Sequence, residues 1–447
     1  MLISLLLGIA IMLSIFLMWP ITPPIVQKFV QVEGVGEVAV AQPMWNAQGL
    51  TLVFVDTQIF PAADLAEKLA SIGIIAAVVD STAFFNRYKT ESKQCLSAQQ
   101  VSDSIRALLK VLPTTSEDHV FVTGIAEGAL VPFINAQLKP ENNMTNVSMG
   151  FKVELPVGLN LCLPYTTETN EQRHRLVSAP EIKGNWRSVW NDQPITETAI
   201  FIKEKASHAD TYLAAYNTPL DNLLVNELKS SIGQGKDLPP MPIIEVPSNN
   251  TKESVTLFYS GDGGWRDLDR SVADEMATLN YSVLGVDVLR YFWGRKTPQQ
   301  VAMDLAATMR YYRTKWGVKS FVLAGFSFGA DILPVIYNRL PASDKDNVDL
   351  LVFLALGTHA DFEVHVAGWL GQTTQEMALA PELAQIPKNK ILCIYGTKEK
   401  AKKGTACTSL ENTEATVLEL PGGHHFDKDY PKLARLILAS YKQHGIH

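Results

Sequence analysis

The order strand, helix, strand, helix, strand occurs twice in this chain, and that repetition limits its fold more than any other feature. In the first half, residues 50–56 are an apolar, β-branched run ending in Asp56, as a strand ends at the carboxyl edge of a sheet. A helical pattern over 62–72 and a strand over 74–80 follow. Next come an amphipathic segment over 99–112, with Val101, Ile105, Leu108 and Leu109 on one face, and a strand over 119–123. In the second half the same succession falls at 254–260, 268–279, 281–287, 298–316 and 319–324. Leu52 and Gly124 stand 72 positions apart, and Thr256 and Gly325 stand 69 apart. Such near-equal units argue for an internal duplication. Further strands at 349–356 and 391–395 and a closing helix at 430–441 complete the second unit.

Alternating strands and helices imply parallel sheets covered by helices on both faces. A chain of 447 residues is too long for one ordinary core. The expected fold is therefore α/β, with two tandem domains at 45–230 and 250–447 behind an N-terminal segment at 1–24. The Gly- and Pro-rich stretch 230–250 reads as the linker between domains. Residues 25–44 read as a linker into the first domain, and 142–160 and 166–191 as polar insertions over its sheet.

Each half runs its third strand into a glycine-framed turn. In the second half this is Gly325-Phe326-Ser327-Phe328-Gly329, followed by a helical pattern over 330–340. Strand, tight turn and helix are the context of a nucleophile elbow, which presents a serine hydroxyl at the end of the sheet. In the first half Gly124-Ile125-Ala126-Glu127-Gly128 carries alanine at that place, so the first domain reads as a degenerate copy without a nucleophile.

A serine hydroxyl needs a base, and the base needs a third group to fix its tautomer. The segment Pro421-Gly422-Gly423-His424-His425 falls late, between the last strand and the last helix, where a loop can bring an imidazole over the elbow. His424 is the expected base and His425 the alternative. Glu399, just past the strand that ends near Gly396, is the expected orienting acid, with Asp361 as the alternative. Ser260-Gly261-Asp262-Gly263-Gly264-Trp265 follows the domain's first strand, where a loop donating backbone N–H groups to an oxyanion belongs. The expected donors are the backbones of Asp262 and Phe328. Asp287, Arg290, Tyr291 and Trp293 lie at the same sheet edge. They either bind substrate, through a phosphate or a cationic group, or cap the sheet. The glycine loop lacks the Gly-Lys-Ser/Thr ending of a nucleotide-binding loop. No Cys or His spacing suits a metal, so neither metal nor cofactor is expected.

A net charge of −7 and a pI near 5.8 give no general attraction for nucleic acid. Residues 2–19 form a charge-free apolar run, long enough for a signal anchor or a cleaved export signal. The four cysteines fall in pairs, Cys95 with Cys162 and Cys393 with Cys407, one pair per domain. Behind an export signal this suits disulfides in an oxidising compartment such as a periplasm.

Five stretches carry a family resemblance: 260–269 (Ser-Gly-Asp-Gly-Gly-Trp-Arg-Asp-Leu-Asp), 289–293 (Leu-Arg-Tyr-Phe-Trp), 325–331 (Gly-Phe-Ser-Phe-Gly-Ala-Asp), 360–370 and 422–427 (Gly-Gly-His-His-Phe-Asp). Together they resemble the bacterial VirJ/AcvB virulence-protein family over about 200 residues of the second domain, and the two-domain length resembles its longer AcvB type. The resemblance implies a periplasmic α/β-hydrolase at the inner membrane that acts on a phospholipid. It would hydrolyse lysyl- or alanyl-phosphatidylglycerol, with Ser327 as nucleophile, and so regulate membrane lipid charge. It also implies secretion-system proteins as partners, and a monomer is expected. The competing readings are a general carboxylesterase or lipase, and a non-catalytic component of a type IV secretion or virulence system.

Overall fold

The computed structural model describes residues 24–89, 91, 94–113, 119–139, 144–170, 173–206, 209–233, 240–249, 253–365, 377–402 and 404–446. The apolar run at 2–19 lies outside them, as do residues 366–370 of the fourth family stretch. Among the described residues no helix is long and apolar enough to cross a membrane. The chain divides into two compact units. The first comprises Met1–Val189, Glu197–Ala209 and Pro219–Gly235. The second comprises Trp190–Thr196, Asp210–Thr218 and Lys236–His447.

In the first unit the strands are β1 (Ile25–Val32), β2 (Gly36–Pro43), β3 (Gly49–Val55), β4 (Ile74–Asp80), β5 (Val120–Ile125), β6 (Met144–Met149), a separate hairpin of β7 (Thr166–Asn170) and β8 (Arg173–Ser178), and β9 (Trp186–Trp190). Their spatial order is β1-β2-β4-β3-β5-β6-β9. The pairs from β4 to β9 are parallel, while β1 and β2 form an antiparallel hairpin joined to β4. Every residue of β3 is buried, which is why that strand reads as a continuous apolar run. The helix Ala62–Ala70 buries Leu65, Ala66, Leu69 and Ala70, one face at helical spacing, and Ser97 and Gln100 form a capping box at the start of Ala98–Val111.

Two expectations are corrected here. Residues 25–44 are the β1–β2 hairpin and not a linker, because Val38, Ala39, Val40 and Ala41 are buried against the sheet. Nor are 142–160 and 166–191 insertions throughout, since they supply the sheet strands β6 and β9. Asn146 and Ser148 make β6 look polar, yet both are buried with partners. Asn135 donates to Asn146 Oδ1 at 2.8 Å, and Ser148 donates to the Ala129 carbonyl at 2.7 Å while accepting from Trp186 Nε1 at 2.9 Å.

The second unit includes the short strand β10 (Asp210–Leu213) and continues with β11 (Ile243–Val246), β12 (Ser254–Tyr259), β13 (Val283–Val286), β14 (Ser320–Phe326), β15 (Val348–Leu354), a small ribbon of β16 (His359–Ala360) and β17 (Met377–Ala378), β18 (Ile391–Gly396) and β19 (Thr416–Leu420). Its sheet runs β11-β13-β12-β14-β15-β18-β19, parallel except for the edge strand β11. Since β11 lies at 243–246, the stretch 230–250 is not all linker. From the antiparallel strand inward this topology repeats that of the first unit, β2-β4-β3-β5-β6-β9. Both are mixed, mostly parallel sheets. On one face of the second sheet Phe258, Val322, Val352 and Ile394 pack with Leu268, Val272 and Met276 of the helix Asp267–Thr278, and with Leu433, Ile437 and Tyr441 of the helix Tyr430–Gln443. Each such fully buried side chain stabilises the fold by about 1.5–3 kcal/mol relative to exposure.

Both cysteine pairs form disulfides, Cys95–Cys162 in the first unit and Cys393–Cys407 in the second. They suggest an oxidising compartment.

Candidate active site

Strand β14 ends at Phe326 and the helix Phe328–Arg339 begins two residues later, leaving Ser327 alone at the corner with φ 54° and ψ −121°. A non-glycine residue rarely holds a positive φ, and such strain persists only where the surroundings enforce it. The flanking glycines permit this corner. A Cβ on Gly325 would lie 2.4 Å from the Gly329 carbonyl carbon, and one on Gly329 would lie 2.4 Å from the Tyr259 carbonyl oxygen. Ser327 N–H donates to the Leu354 carbonyl at 2.9 Å, which ties the turn to β15. In the first unit Ala126 also has φ 54°, between the equally crowded Gly124 and Gly128. That elbow is built but carries no hydroxyl.

The turn after β19 brings His424 over Ser327. His424 Nε2 lies 2.7 Å from Ser327 Oγ, and His424 Nδ1 lies 2.8 Å from Glu399 Oε1. The loops carrying His424 and Glu399 are bound together, because Lys398 N–H and Thr397 Oγ1 both donate to the Gly422 carbonyl, at 2.9 and 3.2 Å. The side chain of Glu399 is 12% exposed and that of His424 46%, so the carboxylate is shielded while the imidazole meets solvent. The neighbouring Lys400 does not compete for Glu399; it lies between Glu411 and Glu419 at 3.2 and 3.1 Å. A hydroxyl, an imidazole and a shielded carboxylate in this sequence can pass a proton from the hydroxyl to the ring while the carboxylate steadies the resulting charge.

The alternatives sit elsewhere. His425 is largely exposed beside Phe326, with ring centroids 5.5 Å apart, and partial desolvation together with the nearby His424 lowers its pKa. Asp361 accepts from the backbone of Phe362 and Glu363 and pairs with His365 Nε2 at 2.9 Å, so it faces its own turn and not His424.

The loop after β12 runs past the elbow. A Cβ on Gly261 would come within 3.3 Å of the Phe326 ring and 3.8 Å of Ser327 Cβ. The next residue, Asp262, is exposed, and Phe328 opens the nucleophile's helix. Among the described residues neither backbone N–H has a protein acceptor.

The expected substrate-binding set is corrected in part. Trp293 is fully buried, and Tyr291 is buried with its hydroxyl donating to Asp304 Oδ2 at 2.5 Å. Asp287 is 1% exposed and caps the short helix Val288–Tyr291 by accepting from Arg290 N–H at 3.1 Å. Arg290 Nε donates to the Leu213 carbonyl at 3.1 Å. These residues cap the sheet because the turn of helix after β13 packs its aromatic side chains inward.

The sequence reading assigned no role to Asp331, although it closes the Gly-Phe-Ser-Phe-Gly-Ala-Asp motif four positions after Ser327. Its Oδ1 accepts from Gly357 N–H at 2.6 Å. Burial pushes its pKa up to about 7, opposed by the Gly357 hydrogen bond and by His424, and assisted by Glu399 and Asp262.

Residues 253–444 match the family described as bacterial virulence protein (VirJ). This part of the chain is similar to the VirJ family. It takes in Ser327, His424, Glu399, Asp262 and Phe328, as well as all five stretches that carried the resemblance. No curated protein sequence matches the chain. Among solved structures, this chain is similar to a dienelactone hydrolase from Anabaena variabilis, at 16% identity over 45% of this chain and 90% of that one, with a TM-score of 0.32. It is also similar to Est1E from Butyrivibrio proteoclasticus, at 14% identity over 46% and 97% with a TM-score of 0.33, and to MenH from S. aureus, at 12% over 45% and 98% with a TM-score of 0.34.

Proposed function

We propose that this protein is a serine esterase that hydrolyses the aminoacyl ester of aminoacyl-phosphatidylglycerol. The observation that carries the reading is the continuous contact from Ser327 Oγ through His424 to Glu399, at 2.7 and 2.8 Å. Ser327 Oγ attacks the ester carbonyl carbon as His424 Nε2 takes the hydroxyl proton. The carbonyl oxygen becomes an oxyanion and is received by the backbone N–H groups of Asp262 and Phe328. The intermediate collapses, and His424 passes the proton to the departing glycerol oxygen of phosphatidylglycerol. Water, deprotonated in turn by His424, attacks the aminoacyl-serine, and as the amino acid leaves His424 returns that proton to Ser327 Oγ. Each step uses groups of this chain and water, and protons balance.

The match to the VirJ family and the five motifs support the lipid substrate by resemblance. The apolar run at 2–19 supports attachment to the inner membrane, and the disulfides support a periplasmic site. The test is lipid content in cells. A strain lacking the protein should accumulate aminoacyl-phosphatidylglycerol, and the wild-type gene should reverse this while Ser327→Ala does not. Full complementation by Ser327→Ala would favour the binding-component reading.

A further inference from the structure

Asp331 takes no part in the proton transfers at Ser327, yet it stands beside them. It lies in the first turn of the helix Phe328–Arg339, and its N–H donates to the Ser327 carbonyl at 2.9 Å. One turn of helix, about 5.4 Å of rise, therefore separates it from the nucleophile. A helical side chain leans toward the helix N-terminus, which directs the carboxylate back to the carboxyl edge of the sheet, where Ser327 stands. A hydrogen bond fixes it there. Oδ1 accepts from Gly357 N–H at 2.6 Å, just beyond the end of β15 at Leu354, whose carbonyl receives Ser327 N–H.

The other oxygen is open. Among the described residues Oδ2 has neither a hydrogen-bond partner nor a cation, and the part-buried side chain leaves it within reach of solvent. Other shielded carboxylates of the chain carry an arginine: Glu227 holds Arg187, Asp344 holds Arg310 at 2.8 Å and Glu382 holds Arg339 at 2.9 Å. Asp269 and Asp287 carry none, but at 3% and 1% exposed they are closed to a ligand. Gly357 keeps Asp331 uncovered, since a Cβ there would lie 3.1 Å from both carboxylate oxygens. Gly357 does not have the positive φ that calls for glycine, so its bare α-carbon answers to the carboxylate and not to the backbone.

We propose that Asp331 Oδ2 receives the α-ammonium group of an aminoacyl ester while Ser327 attacks its carbonyl. This rests on the esterase reading above and names the group by which the site selects its substrate. The ammonium is one carbon removed from the carbonyl under attack, and a carboxylate one turn from the nucleophile spans that separation. Alanyl and lysyl esters share this group, so Asp331 selects an amino acid over a plain acyl chain without choosing between the two. No bond breaks at Asp331. Its part is a charge-assisted hydrogen bond that an uncharged acyl group leaves unmade.

The test gives the full chain two p-nitrophenyl esters: the alaninate, and the isobutyrate, in which a methyl group replaces the ammonium. The readout is the ratio of their kcat/KM values, each divided by that ester's own rate of alkaline hydrolysis. Wild type should favour the alaninate by about 10- to 100-fold, the range of a hydrogen bond to a charged group. Asp331→Asn keeps an acceptor for Gly357 N–H and turns an amide N–H toward the ammonium, so it should lower the ratio by about 10-fold or more. Loss of a merely structural residue would slow both esters alike and leave the ratio as it was. A wild-type ratio near one, or a ratio that Asp331→Asn leaves unchanged, would overturn the assignment, while cleavage of both esters would keep the esterase reading. If Asp331→Asn fails to fold, Gly357→Ala covers the carboxylate instead and should give the same fall, and an unchanged ratio there would overturn the assignment. If wild type cleaves neither ester, both readings fall together.

Discussion

Glu399 holds His424 with one carboxylate oxygen and its own backbone with the other: Oε1 lies 2.8 Å from His424 Nδ1, and Oε2 accepts from Gly396 N–H at 2.8 Å. The residue that orients the imidazole is therefore also the one that caps the short helix Thr397–Ala401. Replacing it by glutamine separates the two duties, because an amide oxygen can still cap while the charge opposite the imidazolium is lost. Glu399→Gln should lower kcat by roughly 10²- to 10⁴-fold with KM little changed, as for the loss of the orienting acid in serine hydrolases. Steady-state kinetics on a soluble ester measures this, and a variant with near wild-type kcat would remove Glu399 from the account.

The Cys393–Cys407 disulfide closes the segment that carries Glu399, with a sequence separation of 14. A loop of that size is worth about 3 kcal/mol of chain entropy in the unfolded state. Cys407→Ser should lower stability by about that amount and depress kcat as well, since the acid's loop is loosened. Cys95→Ser, whose bond lies in the first unit, should lower stability without changing kcat. Urea unfolding beside ester kinetics distinguishes the two, and equal effects of both substitutions on kcat would count against the link between the loop and His424.

Asp331 gives the domain a pH dependence whose sign is fixed by the direction of its displacement. Folded, its pKa is pushed up to about 7; unfolded, a carboxyl releases its proton near pH 4. Between those values the folded chain binds more protons, so the group's contribution to stability is fully present below about pH 4 and is lost as pH rises through about 7. Asp331→Asn cannot ionise and keeps an acceptor for Gly357 N–H. Its stability relative to wild type should therefore improve from pH 5 to pH 8, by at most roughly 2.5 kcal/mol. Denaturant midpoints at the two values test this, and parallel pH profiles would contradict it.

Much of this architecture was legible in the chain because the buried parallel strands, β3 and β14 above all, are unbroken apolar runs that end at glycine-framed corners. The partners of Ser327 were legible because position after the last strands restricts which histidine and which acid can arrive at the elbow. What escaped did so for local reasons. β6 hides polar residues inside the sheet by pairing Asn146 with Asn135 and Ser148 with Trp186, so it lacks the apolar signature of its neighbours. β11 lies among prolines and reads as linker. Aromatics beside cations at 290–293 suggest a binding surface, and only packing shows Tyr291 and Trp293 turned inward. Asp269, Asp287 and Asp331 are acids whose burial depends on distant segments, which no local pattern reports.

The central claim is that Ser327 cleaves an aminoacyl ester of a phospholipid. Its most direct test mixes purified full-length protein with vesicles containing lysyl- and alanyl-phosphatidylglycerol and quantifies free amino acid and phosphatidylglycerol by mass spectrometry. Wild type should release amino acid and phosphatidylglycerol in equal amounts, and Ser327→Ala should release neither. Intact aminoacyl lipid after incubation with wild type that still cleaves a simple ester would contradict the substrate, and equal release by Ser327→Ala would contradict the nucleophile.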